Sequence, residues 1–212
     1  YQDGFANKTR GRLMKKIAIT GGIASGKSLV EKLFRGKGVA TLDTDKVVHG
    51  VLENNKEVIA SVQKLFEGYE GGIVSDDGGL YRKKIGKIVF SDIEKLKALE
   101  NIIHPEVKRI VEAFFVENSD KELVAVSVPL LFESGMEKMF DYVVAVTASD
   151  ELRLQRLIKD RGMTKEDALK RMSAQNFGKE KLEKADFVIE NNGTAEELRS
   201  AVDKVFEKIK AR

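Results

Sequence analysis

Cysteine and tryptophan are absent from this 212-residue chain, and proline and histidine occur twice each. Without cysteine there is no disulfide, no thiolate zinc site and no thiol nucleophile, which fits a cytoplasmic setting. No apolar run reaches membrane-spanning length. The first thirteen residues, "YQDGFANKTRGRL", carry scattered charge and lack the apolar stretch of a secretory signal. They read as a disordered extension, with Met14 as the native start. Charge of one sign is also missing: 37 Lys and Arg against 34 Asp and Glu leave a net charge of +3. That is too little to argue for nucleic acid or an anionic membrane surface. What is present is 42% apolar residues, enough to bury a core.

Compact apolar runs mark the strands. Lys16 to Thr20, "GVATLD" at 38–43, "LVAVSV" at 123–128, "YVVAV" at 142–146 and "DFVIE" at 186–190 are short and lack clear alternation, which predicts a parallel sheet covered on both faces. Between the second and third runs lies mostly helical sequence, including 81–90, 92–103 and 105–115. Pro105 suits the first turn of a helix, so the chain is expected to break between Ile103 and Pro105. The glycine cluster from Gly68 to Gly79 reads as a mobile loop inside this insertion. Residues 149 to 184 are charged and helical, with Arg153, Arg156, Arg161 and Arg171.

The stretch "IAITGGIASGKSLVEKLF" at 17–34 carries the chemistry. Gly21-x-x-x-x-Gly26-Lys27-Ser28 follows a strand and opens a helix, the context a phosphate-binding loop requires. Its residues Gly21, Gly22, Ile23, Ala24, Ser25, Gly26, Lys27, Ser28 and Leu29 form the expected nucleotide cradle. Backbone N–H groups surround phosphate oxygens, Lys27 reaches the β- and γ-phosphates, and Ser28 ligates Mg²⁺. The ligand predicted is a nucleoside triphosphate. "LDTD" sets Asp43 and Asp45 at the carboxyl edge of a parallel sheet, where ligands bind. One carboxylate there can accept the proton of an attacking hydroxyl, while the other orients it or holds a metal-bound water; Asp43 or Thr44 also suits a helix N-cap.

Taken in order, "ITGGIASGKS", "DTDKVVH", "IIHPEV", "VPLLFE" and "ADFVIENNG" resemble the dephospho-CoA kinases over residues 15 to about 210. The resemblance implies ATP-dependent, Mg²⁺-assisted phosphorylation of the ribose 3′-hydroxyl of dephospho-CoA. It also implies an α/β fold of the P-loop NTPase type. A five-stranded parallel sheet with flanking helices would form the nucleotide core at 14–50, 120–148 and 179–212. A helical CoA-binding insertion would occupy 51–119 and a helical lid 149–178. The expected partner is the small-molecule acceptor, with no nucleic acid and no membrane, and the chain a monomer or weak homo-oligomer.

On this resemblance Asp45 is the general base and Asp43, on the substrate side, its structural partner or the holder of a metal-bound water. His49, one helical turn beyond Asp45, contacts acceptor phosphates, holds Asp45 or is merely exposed; His104 matches a His-Pro element on the acceptor side. Arg82 of the insertion belongs to the acceptor segment. In "VPLLFE", Glu133 assists through water or binds the acceptor, whereas Pro129, Leu130, Leu131 and Phe132 shape an apolar groove for the pantetheine arm or fill core; no magnesium-orienting aspartate stands at that strand end. Lid guanidinium groups clamp spreading phosphoryl charge. Arg156 matches the family's lid arginine, whereas four residues on stands Asp160, with the arginine shifted to 161. Arg171 and Gln175 fit an R-x-x-x-Q pattern, and Asn191 and Gly193 match an adenine-side loop.

Three departures stand out: Ala24 for a glycine, Leu29 for a threonine and Tyr81 for an aspartate. Ala24 is free of cost only if its φ is negative. Two other readings share the phosphate loop: a nucleoside or nucleotide monophosphate kinase, and a GTP-binding switch. The second is disfavoured because no Asn-Lys-x-Asp guanine-reading element follows a strand.

Overall fold

The computed structural model describes residues 14–69, 71–75, 78–174 and 177–212. The disordered extension expected at 1–13 and the role expected of Gln175 therefore fall outside the described residues.

Five parallel strands form one sheet in the order β2-β3-β1-β4-β5. They are β1 (Lys15–Gly21), β2 (Ala40–Asp43), β3 (Leu123–Ser127), β4 (Tyr142–Thr147) and β5 (Phe187–Glu190). Their apolar runs lack alternation because both faces are covered. Ile17, Ile19, Leu123, Ala125, Val144 and Val146 face one cluster, built with Val30 and Phe34 of α1 (Lys27–Gly36) and Val202 and Ile209 of α9 (Ala195–Ala211). The intervening Ala18, Val124, Val126 and Val143 face the other, built with helices inserted between β2 and β3. Only β5, at the sheet edge, alternates buried and exposed residues.

The insertion holds α2 (Thr44–Asn54), α3 (Lys56–Leu65), α4 (Arg82–Ser91) and α5 (Ile93–Glu117). The expected break before Pro105 does not occur: α5 runs through it for 25 residues. Proline costs the helix a hydrogen bond to the carbonyl four residues back and adds a clash, about 3 kcal/mol. Against that, Leu99, Ile103, Val107, Val111 and Phe115 form a single buried stripe at four-residue spacing. Two separate helices would split that stripe. Pro105 and Asn101, whose carbonyl loses its partner, are exposed, so water can satisfy the group. In the 68–79 segment, Val74 bridges Leu80 and Ile73 is buried.

After β4 come α6 (Asp150–Lys159), α7 (Lys165–Ala174) and α8 (Lys179–Glu183). No helix among the described residues is long and apolar enough to cross a membrane.

Candidate functional site

The phosphate-binding loop lies between β1 and α1, in the middle of the sheet. Helices α2, α3, α5, α6 and α9 each begin with a polar side chain on their first free amides: Asp43, Asn55, Asp92, Ser149 and Thr194. Helix α1 begins with Gly26, left-handed at φ 100° and offering no side-chain cap. Its leading N–H groups and its positive dipole end are thus left for an anion. Glycine is required at 26 twice over, for that φ and because a Cβ would sit 2.1 Å from Asn191 Nδ2.

Sheet register assembles the opposite wall. Asp43 pairs with Ser127, which also pairs with Ile19 at the end of β1, so three strand ends converge. Lys27 Nζ donates to Ser127 Oγ at 3.4 Å, and Thr44 Oγ1 donates to the Ser127 carbonyl at 3.0 Å, pinning the start of α2 to β3. Asp43 accepts the Asp45 N–H at 3.0 Å and so caps α2. Its carboxylate is committed to holding Asp45 in the first helical turn.

The charges act on one another. Loss of water around Lys27 lowers its pKa, opposed by the attraction of Asp45, Asp43 and Glu31. Asp45 remains exposed, but partial loss of water at its carboxyl raises its pKa above the ordinary carboxylate value; Lys27 pulls it down, Asp43 pushes it up, and Arg161 again pulls it down. Arg161 therefore stands near both groups, while Ser28 is exposed at the mouth of the loop.

The two arginines of α6, which ends before Arg161, lie outside the loop. Arg153 Nε donates to the Ile23 carbonyl at 3.0 Å. Arg156 donates to the Ala24 carbonyl at 3.1 Å and to the Asn191 carbonyl at 2.9 Å. Asn191 is buried, with its side-chain amide 2.8 Å from the Ser25 carbonyl. In this structure it braces the loop. Gly193 also has a structural reason to be glycine: a Cβ would lie 1.9 Å from the Glu197 carboxylate that completes the capping box of α9.

On the insertion, Arg82 donates to His49 Nδ1 and lies 3.2 Å from Glu53, while His49 Nε2 is 3.0 Å from the same Glu53 oxygen. An arginine can only donate, so Nδ1 accepts and Nε2 carries the proton toward Glu53. Sequence reasoning named His49 and Arg82 but missed Glu53. His104 is half-buried within α5 between Glu100 and Lys108, and burial lowers its pKa. Glu133 pairs with Lys181 of α8, and Arg171 stands exposed in the last turn of α7. Leu131 is fully buried in the core, the second of the two places expected for the apolar residues of that turn. The turn after β3 points it inward, and Leu130 beside it is exposed instead.

Compared with known proteins, residues 15–197 match the family model described as dephospho-CoA kinase. The chain belongs to the dephospho-CoA kinase family. A Listeria monocytogenes dephospho-CoA kinase is 40% identical over 192 residues, covering 89% of this chain and 94% of the relative. One from Aquifex aeolicus is 38% identical, covering 92% and 98% respectively. Among solved structures, TT1252 from Thermus thermophilus superposes with a TM-score of 0.79 at 36% identity, over 93% of this chain and 98% of that one. The dephospho-CoA kinase from Campylobacter jejuni gives 0.69 at 29%, over 92% and 97%.

As a member of this phosphotransferase family, the chain takes ATP as a substrate. Its three departures now have surroundings. Tyr81 is the N-cap of α4 and makes no side-chain cap, but Lys84 Nζ lies 4.6 Å from its ring, exchanging a cap for a cation–π contact. Leu29 is exposed on α1. Ala24 has φ 59°, so the condition for a cost-free alanine is not met. Ser127 escaped sequence reasoning, and Thr44 was named only as a helix cap; the signal available for Ser127 was a lone hydroxyl ending an otherwise apolar strand.

Proposed function

We propose that this chain transfers the γ-phosphoryl group of ATP to the ribose 3′-hydroxyl of dephospho-CoA, giving coenzyme A and ADP. The observation that carries the reading is an uncapped, glycine-led helix end facing Asp45, with Lys27 joined to the sheet edge between them. In the transfer the 3′-oxygen bonds to the γ-phosphorus, the bond from that phosphorus to the β,γ-bridging oxygen breaks, and ADP departs with that bond's electron pair. The hydroxyl proton passes to the Asp45 carboxylate. A raised pKa makes Asp45 a better proton acceptor than an ordinary carboxylate, and Asp43 fixes its position through the backbone. Lys27 and Arg161 offset charge on the γ-phosphoryl oxygens.

Mg²⁺ fits the donors available, because the Ser28 hydroxyl and the Asp43 and Asp45 carboxylates are hard oxygen ligands. Among the described residues no group of three acidic or histidine side chains forms a cage, which agrees with an ion that keeps its waters and rides on the nucleotide. When bound, it would neutralise β- and γ-phosphate oxygens. Residues 14–50, 120–148 and 179–212 act as the nucleotide core, 51–119 bind the acceptor and 149–178 close as a lid, with Arg82 of the insertion and His49 of the adjoining core segment toward the acceptor. This reading makes the protein a cytoplasmic monomer or weak homo-oligomer that uses neither nucleic acid nor membrane.

The test is ADP release with ATP and Mg²⁺ in the presence of dephospho-CoA, AMP, CMP, adenosine or no acceptor. Release that requires dephospho-CoA, with coenzyme A identified by mass spectrometry, is expected. Release driven by a different acceptor would remove the acceptor assignment and retain the phosphate loop.

A further inference from the structure

Among the described residues Ala24 is the one non-glycine residue with a positive φ. A Cβ disfavours that left-handed conformation by roughly tenfold, so something must hold it. The two torsions of Ala24 set the directions of two peptide carbonyls, its own and that of Ile23. Both carbonyls accept arginine donors, Ile23 from Arg153 Nε at 3.0 Å and Ala24 from Arg156 Nη1 at 3.1 Å. The two arginines lie three residues apart, on one face of α6.

Each guanidinium is itself anchored. Arg153 Nη1 reaches Asp150 Oδ1 at 2.9 Å, and Arg156 Nη2 reaches the Asn191 carbonyl at 2.9 Å. The remaining Arg153 nitrogen, Nη2, is buried, with no hydrogen-bond partner among the described residues, and would lie 2.9 Å from a Cβ at Gly22. Only a glycine at 22 lets the guanidinium come this close.

We propose that Arg153 and Arg156 are positioning residues, a two-pronged clamp from α6 that holds Ala24 left-handed and presets the phosphate loop for ATP. The outward carbonyls are satisfied by cationic donors; of the same two peptides, the Ser25 N–H closes a turn on the Gly22 carbonyl at 3.2 Å, which leaves the Ala24 N–H to turn toward the nucleotide. A displacement of α6 would release both prongs, so the shape of the loop depends on the segment that follows β4. This rests on the loop being the ATP site.

The test uses the full chain carrying Arg153→Ala, Arg153→Lys, Ala24→Gly and the double variant A24G/R153A. Steady-state kinetics would be combined with binding of a fluorescent ATP analogue and thermal melting. Loss of a charge-assisted hydrogen bond at Arg153→Ala is expected to raise the KM for ATP and the analogue's Kd about tenfold, leaving the KM for dephospho-CoA unchanged. Arg153→Lys, which keeps one donor, recovers part of the loss. With glycine at 24 the left-handed conformation is nearly free, so removing Arg153 should then cost about threefold. An equal penalty with alanine or glycine at 24, a parallel rise in both KM values, or a lower Tm with unchanged nucleotide affinity would each overturn the clamp. A wild-type chain that binds the analogue without phosphorylating dephospho-CoA would instead remove the kinase reading, and the affinity comparison would still decide the clamp.

Discussion

Helices α1 and α9 both start at the carboxyl edge of the sheet, the first after the central strand β1 and the second after the edge strand β5, yet they are finished in opposite ways. Helix α9 closes on itself: Thr194 caps Glu197 and the Glu197 carboxylate returns to the Thr194 N–H at 2.7 Å. Helix α1 is left open, with Gly26 contributing no side chain to its first amides. Helix α2 lies between the extremes, capped by Asp43 while presenting Asp45. The α9 end satisfies its own donors, whereas the α1 end leaves them to a ligand and depends on neighbours to hold its shape; α4 and α8 also lack a side-chain cap, so it is the glycine-rich loop around the α1 end that sets it apart.

The sharpest way to break this contrast is Lys27→Ala at the open end. Turnover with dephospho-CoA should fall about a thousandfold, with weakened nucleotide binding, because the cation serving the transferred phosphoryl group is gone. Preserved turnover would refute the assignment of the phosphate loop.

At the intermediate end, Asp45→Asn should reduce turnover about a hundredfold while ATP affinity is retained. Wild-type turnover should fall as pH drops through the Asp45 pKa, with a midpoint above the ordinary carboxylate value, because only the ionised form accepts the proton. The sign for stability is the reverse. A folded pKa raised above the unfolded one means that the native state holds the proton more tightly, so ionised Asp45 opposes folding at neutral pH. Asp45→Asn should therefore leave Tm unchanged or raised, and a clear drop in Tm would recast Asp45 as structural.

The smallest effect is expected at the closed end. Thr194→Ala should cost about 1 kcal/mol of stability, or roughly 2–4 °C in Tm, with kcat unaltered. A loss of activity without a loss of stability would show that the α9 end also serves the nucleotide.

Much of this was legible in the residues. The strands could be read because a doubly covered parallel sheet demands uninterrupted apolar runs, and the loop because glycines before Gly-Lys-Ser are a local signature. Pro105 misled because its local preference for a helix start is real, and the buried stripe that overrides it is a tertiary fact. Asn191 and Gly193 matched a ligand-side motif, but their positions beside Ser25 and Glu197 give both a structural reason that no linear pattern carries.

The sequence by itself determined the parallel sheet, the phosphate loop and the aspartate pair at its edge, since each rests on near-neighbour spacing and backbone preference. Tertiary structure decided the division among the arginines: Arg153 and Arg156 on the outward carbonyls of the loop, Arg161 within electrostatic reach of Lys27 and Asp45. It also decided that Leu131 is core, that Ser127 receives Lys27, and that Ala24 is left-handed. These depend on which groups from distant parts of the chain meet when the sheet closes, and hydrogen-bond direction and burial have no representation in residue spacing alone.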